Sequence, residues 1–419
     1  MASFSGGSHR VALAFAFVIT VLDAVTIGVI APVLPSLIEE LSGSSADASW
    51  LTGVFVALFG LMQTLASPWL GALSDRFGRR PVILISTAGL AADYLLMAFA
   101  PSLGWLVVGR ILGGLTSASV ATVYAFIADV TPEAQRARAF GHLGAAFSAG
   151  IILGPVLGGA AGALGPRAPF VVAAGLNALA FLYGVFVLPE SLPVERRTPI
   201  SWKSGSPLAA LALLRSHPEL PRLARVSFVM YCCHYVYPAV FVLHAMHRFG
   251  IGTTATGLLL TFSSIIDMGV QMGLIAWTVK RFGEVVTLRA GLLFGALGLA
   301  GMGLAPNLGT FVAAFFPLAL AGLAIPALQA LMSQRVSAMD QGKLQGANTS
   351  LLSSAGLVAP LVFGAVYAWA RAPERGDTWL GASLVGAPYL LAAGLFMLST
   401  ILSVGMKAQA TRAPSADGV

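Results

Sequence analysis

The chain has 419 residues, of which 57% are hydrophobic and only 10% charged, with 24 Lys or Arg against 17 Asp or Glu. Soluble chains carry about 25% charged residues to cover their exterior, so this composition all but excludes a water-soluble enzyme and fits a multi-span helical membrane protein. The net charge of +7 does not mark a nucleic-acid binder, because the basic residues sit in short clusters between apolar segments and not in one stripe with interleaved aromatics.

Apolar stretches recur at 11–34, 50–71, 81–100, 104–128, 139–161 and 168–188, and again at 222–245, 254–278, 286–304, 309–331, 345–369 and 382–405. Each is long enough for one helical crossing of roughly 20 residues. The first is too long for a cleaved signal peptide and runs through Pro32 and Pro35 into an acidic loop. It carries Asp23. The second carries Gln63 and leads into Gly71-Ala72-Leu73-Ser74-Asp75-Arg76-Phe77-Gly78-Arg79-Arg80-Pro81, a basic turn in which Asp75 either pairs with a neighbouring arginine or sits near a helix N-terminus.

The third stretch holds Asp93 and the fourth Arg110, the one basic residue deep inside a span. An intramembrane arginine costs roughly 2.5–3.5 kcal/mol on insertion scales, so it faces a cavity or an acid. In the fifth, Gly150, Gly154, Pro155, Gly158 and Gly159 allow close helix approach and a bend. The widest polar break, 189–221, reads as a linker, with a short surface helix at Pro207 to Arg215. Cys232 and Cys233 are adjacent in an apolar run and form neither a disulfide framework nor a metal site. His142, His234 and His244 are either proton relays or hydrogen-bonded core residues. Asp267 and Gln271 in the eighth stretch are four apart and share a helix face. Burial raises a carboxyl pKa, so Asp23, Asp93 and Asp267 are candidates to take up and release protons near neutral pH.

Charge predicts the orientation. With both tails and the even-numbered breaks on one side, 19 Lys or Arg fall there and four on the other, which places both termini in the cytoplasm. The layout is therefore an all-α membrane protein of twelve transmembrane helices. Residues 1–188 form one six-helix bundle, 189–221 a cytoplasmic linker, 222–406 a second pseudo-symmetric bundle and 407–419 a cytoplasmic tail. An echo of Arg76-Phe77-Gly78 in Arg281-Phe282-Gly283, at the matching place in the second half, supports two halves facing a central cavity.

The loop from Gly71 to Pro81 resembles the signature loop of the major facilitator superfamily. The resemblance implies a charge network joining Asp75, Arg76, Arg79 and Arg80 to an acid at the inner end of span four, matched here by Asp129, that latches one conformation. The Gly150–Gly159 segment is similar to that family's antiporter motif, and Arg110 matches its span-four arginine, implicated in proton coupling. A narrower resemblance, to the twelve-span tetracycline/proton antiporters, spreads over residues 11 to 370. It is carried by Leu22-Asp23-Ala24, Leu61-Met62-Gln63, Ala92-Asp93-Tyr94, Leu176-Asn177, Pro326-Ala327-Leu328-Gln329 and Gln341-Gly342-Lys343-Leu344-Gln345-Gly346. It implies proton or substrate handling by Asp23, Gln63, Asp93 and Arg110, and Gln271 matches a glutamine of that branch. Asp267, as an acid within a span, is expected to share the proton coupling, and Gln63, Gln271 and His234 are expected to contact the substrate.

Two positions depart from that branch. Asp267 stands where relatives have a histidine. Gly295 stands where they carry an acid, and span nine holds no Asp or Glu. The expectation is that the second half's acid has moved from span nine to Asp267, both positions facing the cavity. The function expected is proton-coupled export of a small amphipathic, drug-like compound, tetracycline being one candidate, by a monomer in the bacterial inner membrane. The alternative is uptake of a metabolite by the same fold. Beyond the substrate and the lipid bilayer no partner is expected. No cofactor is expected either, protons being the coupling ion and a divalent cation entering only with tetracycline. The chain has no metal, nucleophile-elbow or phosphate-loop motif, so enzymatic chemistry is not expected.

Overall fold

The structure is a computed structural model that describes residues 6–117, 119–131, 133–197, 218–336, 341–371 and 384–404. The surface helix expected at 207–215, most of the linker and the tail lie outside them. All regular structure among the described residues is helical, and each of the twelve apolar stretches contains helix over its described residues. Among those residues nine helices, or ten counting the bent first pair as one, are long and apolar enough to cross a membrane, and Leu103–Thr116 and Ala387–Ser403 are shorter apolar helices.

Span 1 is Gly6–Ile30, followed by the short helix Leu34–Ser42 at a bend of 40°. Span 2 is Ser45–Phe77 and span 3 Arg79–Ala98. Span 4 is two pieces, Leu103–Thr116 and Ser119–Val130. Span 5 is Glu133–Gly162 and span 6 Ala168–Val187. In the second set, span 7 breaks into Leu220–His234 and Val236–Phe249, and span 8 is Thr253–Gly273. Span 9 lies within Ile275–Leu304, whose backbone leaves the helix at Gly283. Span 10 runs through Leu308–Ala313, Phe315–Leu320, the 3-10 turn Ala321–Leu323 and Ala324–Ser333. Span 11 is Gln341–Ala370 and span 12 Ala387–Ser403. Several helices outrun their apolar stretch because a helix can continue past the lipid into water, where its polar end is solvated.

The outer surface is apolar. Ile85, Leu179, Phe186, Leu297 and Ile401 are all exposed, as lipid permits and water would not. Inside, glycines set which spans meet. Gly150, Gly154 and Gly158 recur every fourth residue along span 5, on one face of the helix. A Cβ at Gly150 would lie 2.7 Å from the Val21 carbonyl oxygen, and one at Gly154 2.6 Å from that of Val25. Spans 1 and 5 are therefore in backbone contact. Spans 9 and 10 repeat the device, with Gly291 against Ala324, Gly295 against Ala321 and Gly298 against Leu318.

The contacts divide the chain into two units, one of 1–205, 235–265 and 356–388, the other of 206–234, 266–355 and 389–419. The first unit joins the first six spans to parts of spans 7, 8 and 11. It contains two apolar clusters, one around Val29, Phe55, Met97, Leu106 and Phe170, the other around Phe15, Ile19, Ile83, Val123, Phe126 and Leu143. Along spans 1 and 4, Asp23 and Arg110 fall between them.

A sealed ion pair and an accessible carboxylate

In the first unit Arg110 Nη2 donates to Asp93 Oδ2 at 3.0 Å. Glycine makes the room: a Cβ at Gly109 would stand 2.7 Å from Asp93 Oδ1, and one at Gly113 would collide with the carboxylate. The Arg110 guanidinium also lies over the Phe59 ring, 5.1 Å from its centroid, a cation–π contact. Asp93 is 0% exposed and Arg110 6%, so each offsets a charge that the other would leave bare. Asp23, also buried, lies with Asp93 and Arg110 within electrostatic reach of Tyr94. Half-buried Gln63 follows Phe59 by four residues on span 2, and Gly114 packs against this turn. Asp23, Asp93, Arg110 and Gln63 thus belong to one neighbourhood.

The second unit holds a different arrangement. Gln271 Nε2 donates to Asp267 Oδ2 at 2.6 Å, as their shared helix face requires. Asp267 is half-buried and Gln271 exposed. Across from them is Gly322, in the 3-10 turn that interrupts span 10, where a Cβ would lie 3.0 Å from Asp267 Oδ1. His234, exposed at the break in span 7, is within electrostatic reach of Asp267. The interruption of span 10 thus lies against this carboxylate, with the break in span 7 within its electrostatic reach, and interrupted helices beside a polar side chain are how membrane bundles build ion and substrate sites. His244, by contrast, is buried among aromatics, 5.9 Å from Phe249 and 6.2 Å from Tyr367 between ring centroids. It is a core residue. His142 is exposed.

Gly295 corrects one expectation. It does not face a cavity: it is buried, and a Cβ there would stand 3.0 Å from both Ala321 and the Phe396 ring. The position serves the close approach of spans 9 and 10, which leaves a carboxylate no room.

The signature loop is built around Arg79. Its Nη1 donates to Asp75 Oδ1 at 2.5 Å and to Ser74 Oγ at 2.6 Å, while its Nε donates to Asp129 Oδ2 at 3.0 Å. Asp75 thus takes the arginine and not the helix N-terminus. That N-terminus is filled by Glu190, which the sequence reading did not single out. Its carboxylate accepts the backbone N–H of Arg79 at 2.8 Å, of Arg80 at 3.3 Å and of Leu192 at 3.0 Å. Ser191 Oγ adds a bond to Asp129 at 3.2 Å, and Arg80 Nη2 donates to the Val185 carbonyl at 2.7 Å. Arg76 is exposed and rests over Phe77. Gly78 adopts φ 106° and ψ 162°, and its second-half echo Gly283 adopts φ 78° and ψ 167°, the same glycine-favoured backbone. No Cβ fits at Gly78 because Glu190 occupies the space, whereas Gly71 has nothing within 4 Å. One signal for Glu190 was available: an acid just past a helix C-terminus opposes the helix dipole and needs a donor nearby.

On the antiporter motif's other face, Gly159 packs against Thr253 and Thr254, and Gly257 against the Pro155 carbonyl. Gly53 of span 2 meets Pro360 of span 11 in the same way. His247 Nε2 lies 3.5 Å from Glu39 Oε2, and Ser36 Oγ 3.7 Å from Met246 Sδ. These contacts join the two sets of six at one end of the first unit.

Ionisable residues turned inward in a lipid-faced helical bundle are the build of an ion-coupled membrane transporter. Sequence comparison makes the class specific: the model described as Major Facilitator Superfamily matches residues 16–360, and this chain belongs to that family of transporters. The chain is 40% identical to the tetracycline resistance protein, class C, of Escherichia coli over 87% of its own length and 91% of the relative's. It is 31% identical to multidrug resistance protein 2 of Bacillus subtilis, over 81% and 85%. Among solved structures, the human organic anion transporter superposes with a TM-score of 0.68 at 25% identity, covering 94% of this chain and 99% of that one. A bacterial homologue of the human lysosomal transporter Spinster, inward-facing and unoccupied, gives 0.76 at 17% identity over 96% and 97% and speaks to the fold alone.

Proposed function

We propose that this chain exports a small, amphipathic, drug-like compound across the bacterial inner membrane in exchange for protons, by alternating access. The observation that carries this reading is Asp267, a carboxylate inside an apolar span, hydrogen-bonded to exposed Gln271 and set against the interruption of span 10 at Gly322. An acid so placed meets water in one conformation, and its protonation removes a charge that biases the balance between conformations. Asp93 and Arg110 couple the first half to the same event: a proton on Asp93 weakens its hold on Arg110. Gln63, Gln271 and His234 orient the cargo while apolar side chains grip it. The Arg79 network shapes the cytoplasmic loop, with both termini on that side. The protein works as a monomer without a resident cofactor. The names of the tetracycline and multidrug resistance relatives support export over uptake, and they make tetracycline, with or without a chelated divalent cation as part of the cargo, the first compound to test.

The test is a susceptibility panel in a pump-deficient bacterial host, with cell-associated drug measured with and without an uncoupler. The parent chain raises tolerance to at least one compound, and both the uncoupler and Asp23→Asn abolish the gain. If accumulation rises when the chain is expressed, the direction is wrong.

A further inference from the structure

Pro155 lies inside span 5, towards its C-terminal end. Proline has no N–H, so the Ile151 carbonyl four residues earlier has no helical donor, and the ring opens the adjoining turn. The carbonyls flanking this bend accept hydrogen bonds from span 8. Thr261 Oγ1 donates to the Ile152 carbonyl, next to the freed one, at 2.9 Å. Thr254 Oγ1 donates at 2.9 Å to the Gly159 carbonyl, which also takes the Ala163 N–H at 3.3 Å. Between them Gly257 lets the Pro155 carbonyl come closer than any Cβ would allow. Residues 254, 257 and 261 are spaced three and four apart and so share one face. Their neighbours behave otherwise: Thr256 and Ser264 turn their hydroxyls back to Gly252 and Leu260 of their own segment.

The two faces of the antiporter motif therefore differ in kind. Towards span 1, Gly150, Gly154 and Gly158 give backbone contact within one set of six. Towards span 8, which belongs to the other set, the bend offers carbonyls that hydroxyls can take and release one at a time. We propose that Thr254 and Thr261 are the receiving half of the antiporter motif, closing one end of the transporter by donating to the carbonyls beside the Pro155 bend and opening it on release. The proposal rests on the alternating-access reading but not on cargo, direction or proton coupling.

The experiment uses the full chain with Cys232→Ser and Cys233→Ser and one reporter, Ser36→Cys. Ser36 is half-buried at the same closed end beneath Met246. A membrane-impermeant maleimide is added from that side without substrate or pH gradient. An interhelical hydrogen bond in a membrane is worth a factor of roughly three on average, so Thr261→Val speeds labelling about threefold. Thr254→Val does the same, and the pair together reach roughly tenfold. Thr261→Ser, which keeps the hydroxyl, labels at the parent rate. Labelling by both valine variants at the parent rate overturns the proposal, as does a serine variant as fast as valine. Normal labelling responses in a chain that moves no compound would instead count against the export reading alone.

Discussion

Arg110 and Asp93 set the residue scale. Removing one partner of a buried ion pair costs about 3–5 kcal/mol because the other charge is left uncompensated. Arg110→Leu and Asp93→Leu should each lower the thermal unfolding temperature in detergent sharply, and the double variant should lose less than the two single losses combined. Additive losses would show that the residues do not act as a pair. At Gly78 the backbone φ of 106° and the adjacent Glu190 carboxylate both oppose a side chain. Gly78→Ala should cost about 1–3 kcal/mol, while Gly71→Ala, with open space at its would-be Cβ, should be silent in the same melt. The acids, the buried arginine and the loop were legible because a charge in an apolar run stands out against its surroundings. Glu190 was less so: an acid just past a helix end asks for a donor, but the Arg79 and Arg80 amides that supply it lie more than a hundred positions away, and no side-chain pattern records them.

At the scale of elements, the spans could be read from hydropathy, and their interruptions only in part. The break at Tyr235 in span 7 and the 3-10 turn at 321–323 each precede a proline, Pro238 and Pro326, that removes the donor of the carbonyl four residues earlier. Prolines elsewhere in the spans bend a helix without ending it, so tertiary packing decides which become breaks. Gly295 shows the same limit. Aligned against relatives it looked like a missing acid. In the fold it is one of a row of glycines letting span 9 lie on span 10. Restoring the acid tests this: Gly295→Asp should be overpacked against Phe396 by about 1–3 kcal/mol, and adding Phe396→Ala should recover part of the melting temperature. Full stability of Gly295→Asp alone would mean the two spans are not held as close as described.

For the whole molecule, composition alone placed the chain in lipid, and the Arg-Phe-Gly echo pointed to repeated halves, now matched by equivalent backbone at Gly78 and Gly283. What neither composition nor motif could convey is how differently the ionisable groups are treated. Asp93 is shut away against Arg110, while Asp267 keeps a route to exposed Gln271. A proton-driven exchanger needs at least one acid of the second kind. The most direct test places parent and Asp267→Asn chains in proteoliposomes loaded with the compound found by susceptibility, imposes a pH gradient and follows compound and proton movement together. Asparagine keeps the shape and the hydrogen bond to Gln271 but holds no exchangeable charge. The parent should exchange compound against protons, and the variant should still bind the compound yet show no gradient-driven movement. Undiminished uphill movement by Asp267→Asn would contradict the account.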